Sequence, residues 1–72
     1  MFPIESDVAA ILIRAVATIG EDVAIAILGA IKGGDVNTVE QLSKQLPDAD
    51  QIRLRDEALI TAQRAKAHGA TP

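Results

Sequence analysis

Cysteine is absent from all 72 positions, which excludes disulfides and thiolate-ligated metal sites. Tryptophan and tyrosine are missing too, and Phe2 is the single aromatic residue. A chain this short buries only about 60% of the surface its unfolded form exposes, near the lower limit of what folds unaided. Small proteins without disulfides or metals commonly reach stability by oligomerising. Strand-like alternation is also lacking, so the expected fold class is all-α, in one domain over residues 1–72.

Side chains that usually perform chemistry are scarce. The serines are Ser6 and Ser43, and the single histidine is His68. A nucleophile needs a base within reach. Ser6 reads instead as a helix start and Ser43 as a solvated helix position. His68, in a terminal turn, suits the negative end of a helix dipole, and without carboxylates at helical spacing it builds no metal site. The acidic pairs are Glu21-Asp22, Asp48/Asp50 and Asp56-Glu57. Adjacent helical residues diverge by about 100°, so such pairs do not converge on one proton or cation. Asp48 and Asp50 lack the other ligands of a calcium loop. Lys32-Gly33-Gly34 lacks the spacing of a phosphate loop, and no strand precedes it. The sequence therefore points to a non-enzymatic protein with no cofactor, catalytic or metal site.

Charge and flanking composition narrow the class further. A net charge of −3 argues against a general binder of phosphate backbones. No basic region precedes the apolar run, so no secretory signal is expected and a cytoplasmic location is the default.

What the chain does have is a long apolar stretch, residues 8–31, VAAILIRAVATIGEDVAIAILGAI. Read as one helix, it places Val8, Leu12, Ala15, Ile19, Val23, Ala26 and Ala30 within roughly 80°. Ile13, Ala17, Ala24, Leu28 and Ile31 make a second row beside them. Arg14, Thr18, Glu21, Asp22 and Lys32 gather into a sector of only about 100°, leaving about two thirds of the circumference apolar. Charges at Arg14, Glu21 and Asp22 each cost about 2.5–3.5 kcal/mol inside a bilayer, and the flanks carry no aromatic or basic belt. A membrane span is not expected. Ala26/Ala30 and Gly29/Gly33, four apart, permit close helix approach, although Gly33 reads more simply as a cap.

The stretch is out of proportion to the rest. It holds eleven large aliphatic side chains, against eight in the 41 residues that follow. Exposed apolar patches mark interaction surfaces. The expected interface, toward copies of the chain or a larger assembly, comprises Val8, Leu12, Ile13, Ala15, Ile19, Val23, Ala26, Ile27, Leu28 and Ile31.

Taken in order, Pro3 favours an extended entry, with Phe2 and Ile4 folding back as a hydrophobic clip. Ser6 or Glu5 starts the first helix, helped by Asp7 at its positive end. The stripe keeps phase through Gly20, which favours a single helix of about 27 residues, straight or bent. A break at Gly20, with Glu21 and Asp22 opening a new helix, is the alternative. Lys32-Gly33-Gly34 ends the element. Asp35 or Asn37 caps a second helix bearing Val39, Leu42 and Leu46, with Asn37 and Glu40 spaced as a capping box. Pro47 stops it. Asp48, with Gln51 three residues on, caps a third helix that runs to about Ala67, ending at His68-Gly69. These helices are expected to form a bundle completed by oligomerisation.

Three functions fit. The first is a structural or assembly subunit, a component of a virus particle or another large complex. The second is an oligomer that sequesters a small anionic, nucleotide-like ligand between subunits using Arg53, Arg55, Arg64 and Lys66, since guanidinium forks suit phosphates. One helix alone splits those cations between faces. The third is a helix-turn-helix module over residues 38–60. Its would-be recognition helix opens with Asp48 and Asp50, which would meet phosphates with like charge.

Overall fold

The computed structural model describes residues 6–69, with side chains to 67. The expected clip of Phe2 and Ile4 lies outside them. Four helices follow one another: α1 Ser6–Ile19, α2 Glu21–Gly33, α3 Val36–Leu42 and α4 Asp48–Gly69. Among the described residues there is no strand. The all-helical class holds, and the single long apolar helix does not.

The reason is Gly20. Its backbone sits at φ 88°, ψ 161°, a region essentially closed to residues with a Cβ. Gly20 serves both neighbours. Its N–H donates to the Val16 carbonyl at 2.9 Å, closing α1, and its carbonyl accepts from Ala24 at 3.1 Å, opening α2. Glu21 and Asp22 then fall in the first turn of α2, where free N–H groups favour negative charge. The apolar stripe keeps phase across this point, but phase cannot report a positive φ.

Breaking the helix lets its two halves cover each other. α1 buries Val8, Ile11, Leu12 and Ala15, while α2 buries Ala24, Ile27, Ala30 and Ile31. Of the eleven large aliphatics in residues 8–31, Ile19, Val23 and Leu28 are partly buried against this core, and Ile13, Val16 and Ile25 stay exposed. The expected excess of eleven over eight is thus mostly met within the chain. The chain thus supplies a hydrophobic core of its own.

α2 is the central element, packing against α1, α3 and α4. Among the described residues α1 and α3 do not meet, so they flank an α2–α4 pair. α4 contributes Leu54 and Ala58, both fully buried. Each fully buried Leu, Ile or Val contributes about 1.5–3 kcal/mol relative to exposure.

The α2–α3 turn is a Schellman-type cap. Gly34 donates to Ile31 at 3.1 Å and Asp35 to Ala30 at 2.8 Å, with Gly34 left-handed at φ 69°. The left-handed residue is Gly34, one beyond the Gly33 expected from sequence, because α2 keeps one more helical residue. A Cβ at Gly34 would also meet Ala62 Cα of α4 at 2.8 Å, so this turn lies directly on α4.

Asp35, not Asn37, caps α3. Its carboxylate accepts from the Thr38 backbone N–H at 3.1 Å and from the Thr38 hydroxyl at 2.6 Å. Ser43 ends the helix and is fully buried, not solvated as expected; its hydroxyl donates to the Val39 carbonyl at 2.6 Å. The 43–47 connection is held by Gln51, whose side-chain amide donates to Leu46 O at 2.7 Å and Lys44 O at 3.2 Å. Gln51 therefore does not complete a box with Asp48. Its backbone N–H donates to Pro47, which precedes the first helical residue of α4.

Two glycine substitutions test this account. Gly20→Ala forces a Cβ into an unfavourable backbone region but meets no neighbour, so it should cost about 1–3 kcal/mol in urea unfolding. Gly34→Ala adds a collision with the α4 backbone and should cost more. Equal costs would remove the close α4 contact from the argument.

Candidate functional site

The four cations proposed from sequence lie on α4. At about 100° per residue, Arg53 and Arg64 share one side and Arg55 and Lys66 another, roughly 160° away. No single chain brings all four together.

Arg53 is engaged. Its Nε donates to Asp7 Oδ2 at 2.6 Å, one terminal nitrogen to Asp7 Oδ1 at 3.2 Å, and the other to Glu57 Oε2 at 2.8 Å. The bidentate pair with Asp7 fastens the first turn of α1 to α4. Asp7 above all, then Glu57, holds the Arg53 proton more tightly than water would. Arg53 in turn depresses the Asp7 carboxyl below the usual range. Two carboxylates already surround this guanidinium, so an incoming phosphate would meet like charge there. The Glu57 pairing follows from spacing; the Asp7 pairing spans 46 residues and has no local signal. Arg14, on α1, approaches Asp50 at 3.8 Å as a second, looser link.

Arg55 borders a shallow groove of about 200 Å³ between α3 and α4, lined also by Glu40, Ser43, Lys44, Gln51 and Ile52. Its lining thus combines two cations, Lys44 and Arg55, with one carboxylate, Glu40. Arg64 and Lys66 are exposed on later turns of α4. Among the described residues no group of three or more His, Asp or Glu could hold a metal ion. The helix-turn-helix reading fares no better, because Asp48 and Asp50 stand in the first turn of α4 and Arg53 is neutralised.

The second candidate is a surface. Of the ten interface residues expected from sequence, Val8, Leu12, Ala15, Ile27 and Ile31 are buried in the chain's own core. Ile19, Val23 and Leu28 pack against that core, which leaves Ile13 and Ala26 on the surface. The break at Gly20 is responsible, since α1 and α2 turn their faces independently once separated.

On α1, Ile13 is 74% exposed and lies opposite the buried row. Ala9, Ala10, Val16 and Ala17 stand three or four residues from it, and so share its face. Val16 is 40% exposed, Ala17 is exposed, and the other two alanines are half-buried. Asp7, Arg14 and Thr18 all fall in a strip about 40° wide along one edge. A surface helix ordinarily turns charges away from the core; here uncharged, apolar side chains point that way. The other exposed aliphatics differ in setting: Ile25 sits among Glu21, Asp22 and Lys32 on α2, while Ile52, Leu59 and Ile60 alternate with Arg55, Asp56 and Lys66 on α4.

No family model matches the chain, and no curated protein or solved structure matches it. Among the described residues no helix is long and apolar enough to cross a membrane.

The carboxylates give a pH prediction. Asp7 is depressed chiefly by Arg53, and Asp35 by the Thr38 hydroxyl and then its backbone N–H. Groups with lowered folded-state values add stability that is present above the ordinary carboxylate range of about 4 and lost as pH falls through the lowered values. The urea midpoint should therefore drop between pH 5 and pH 2 (about the window in which paired carboxylates protonate). That drop should shrink in Asp7→Asn and again in Asp7→Asn/Asp35→Asn. An unchanged pH profile in the double variant would remove both groups as its source.

Proposed function

We propose that this protein is a non-enzymatic assembly subunit whose working surface is the outer face of α1. The observation that carries the reading is Ile13, three-quarters exposed at the centre of an uncharged face on a helix whose other side is fully used by the core. Contiguous exposed apolar surface on a small protein serves to bind another macromolecule. The scarcity of nucleophiles and bases speaks against catalysis. A structural role in a larger particle, a virus particle being one example, fits a small helical body with one such face.

Sequestering an anionic ligand is the weaker reading. It loses Arg53 to Asp7 and Glu57, and Arg55 shares its groove with the acidic Glu40.

The test is sedimentation of the fluorescently labelled chain, alone and in extract of the cells that make it. The wild type should sediment as a complex in at least one setting, and Ile13→Asp should sediment as a monomer in both. Because Ile13 lies outside the core, Ile13→Asp should keep its helical circular dichroism and lose no more than about 0.7 kcal/mol of stability. A wild type that stays monomeric in both settings sinks the assembly reading.

A further inference from the structure

We infer that Gly20 is a hinge through which two copies of this chain exchange α1. Each α1–α2 elbow straightens into one continuous helix, and each α1 seats on α2 and α4 of the other copy. The outer face of α1 takes no part, and the exchange does not depend on the assembly role proposed above.

The elbow is a single residue. Gly20 already holds a helical bond to Val16 behind it and from Ala24 ahead of it. Between those two, among the described residues, the N–H groups of Glu21, Asp22 and Val23 make no bond to the carbonyls of Ala17, Thr18 and Ile19. A straight helix would add those bonds. Nothing obstructs the change, since Gly20 is exposed and a Cβ there would meet no neighbour within 4 Å. Short hinge connections of this kind favour exchange of the attached element.

Packing explains why opening needs a second copy. Straightening one chain alone would strip Val8, Ile11, Leu12 and Ala15 of their cover, so the monomer stays folded back. A second copy supplies the same cover, because the seat that α1 leaves on one chain is the seat that the other α1 requires. Only the elbow changes its contacts. The tether holds each α1 near its own seat at an effective concentration of about millimolar, so dilute chains remain closed.

Charge is matched at that seat. α1 carries only Asp7 and Arg14, and they meet Arg53 and Asp50 of α4. On exchange both pairs join one copy to the other. They oppose the long-range repulsion of two copies at −3, which is itself screened beyond about 8 Å at physiological salt.

The test uses full-length chains that all carry Ile13→Asp, which removes the outer α1 face from the outcome. Asp7→Arg in one chain and Arg53→Asp in another leave each folded-back monomer with like charges between α1 and α4. Unfolded together in urea and refolded as an equimolar mixture near millimolar concentration, they should form a mixed dimer, because exchange sets unlike charges together at both seats. A single chain carrying both changes satisfies its own pair and is the control. By sedimentation the mixture should associate at least about ten-fold more tightly than this control. Adding Gly20→Ala to both chains should tighten the mixed dimer about ten-fold further, since alanine disfavours the positive φ of the elbow and suits a helix. A mixture no tighter than the control would overturn the exchange, and so would a mixed dimer weakened by Gly20→Ala. Neither result bears on the assembly role, which is read from chains that keep Ile13.

Discussion

Everything in this bundle depends on the reversal at Gly20. A continuous helix of about 27 residues would span some 40 Å and present apolar side chains over most of its girth, with eight aliphatics elsewhere to cover eleven. One residue at φ 88° converts that stretch into two helices that serve as each other's core. α2 can then sit centrally, with α1 on one side, α3 on another and α4 closing the set. The second positive-φ glycine, Gly34, does the corresponding work at the far end of α2 by letting the turn lie against α4. A small domain without disulfides has few ways to raise the buried fraction of its surface, and doubling a helix back on itself is one of them.

Packing of Val8, Ile11, Leu12 and Ala15 places α1 on that frame, and two ion pairs add directional links to it. The fork of Arg53 onto Asp7 sets a register between the first turn of α1 and the early turns of α4, and Arg14 with Asp50 adds a second, longer link. Spending Arg53 this way has a functional consequence. One of the four cations offered for an anionic ligand is part of the scaffold, and a negatively charged protein is left with little concentrated positive potential.

Local signals in the sequence located most of the helices. The run Lys32-Gly33-Gly34 ended one, Pro47 separated two others, and the stripe of Val39, Leu42 and Leu46 marked positions that are buried or packed against the core. Three features were missed or left open. Hydrophobic phase ran unbroken through Gly20, so the break there, signalled by the glycine and the two acids after it, stood only as the alternative to one continuous helix. Ser43 looked like a solvated position, yet a hydroxyl that bonds its own helix carbonyl at Val39 can be buried without an unsatisfied group. Asp7 and Arg53 are 46 residues apart, beyond any spacing rule. The interface was overdrawn for the first of these reasons: residues assigned to one continuous face belong to two helices that face one another, so most of them met partners inside the chain.

The face that survives this correction is the harder one to explain by folding alone. A side chain 74% exposed gains little of the stabilisation that burial gives, so Ile13 does almost nothing for the monomer. Glu, Lys or Gln at position 13 would serve the helix as well and keep it better hydrated. Ile52, Leu59 and Ile60 raise no such question, since exposed aliphatics scattered among charges are ordinary for a folded surface. On α1 the charges are instead swept to one edge, and the exposed positions opposite the core are Ser6, Ile13, Val16 and Ala17. The inner row of this helix builds the domain with α2 and α4; the outer row, which the core does not use, is the surface on which the proposed assembly role rests.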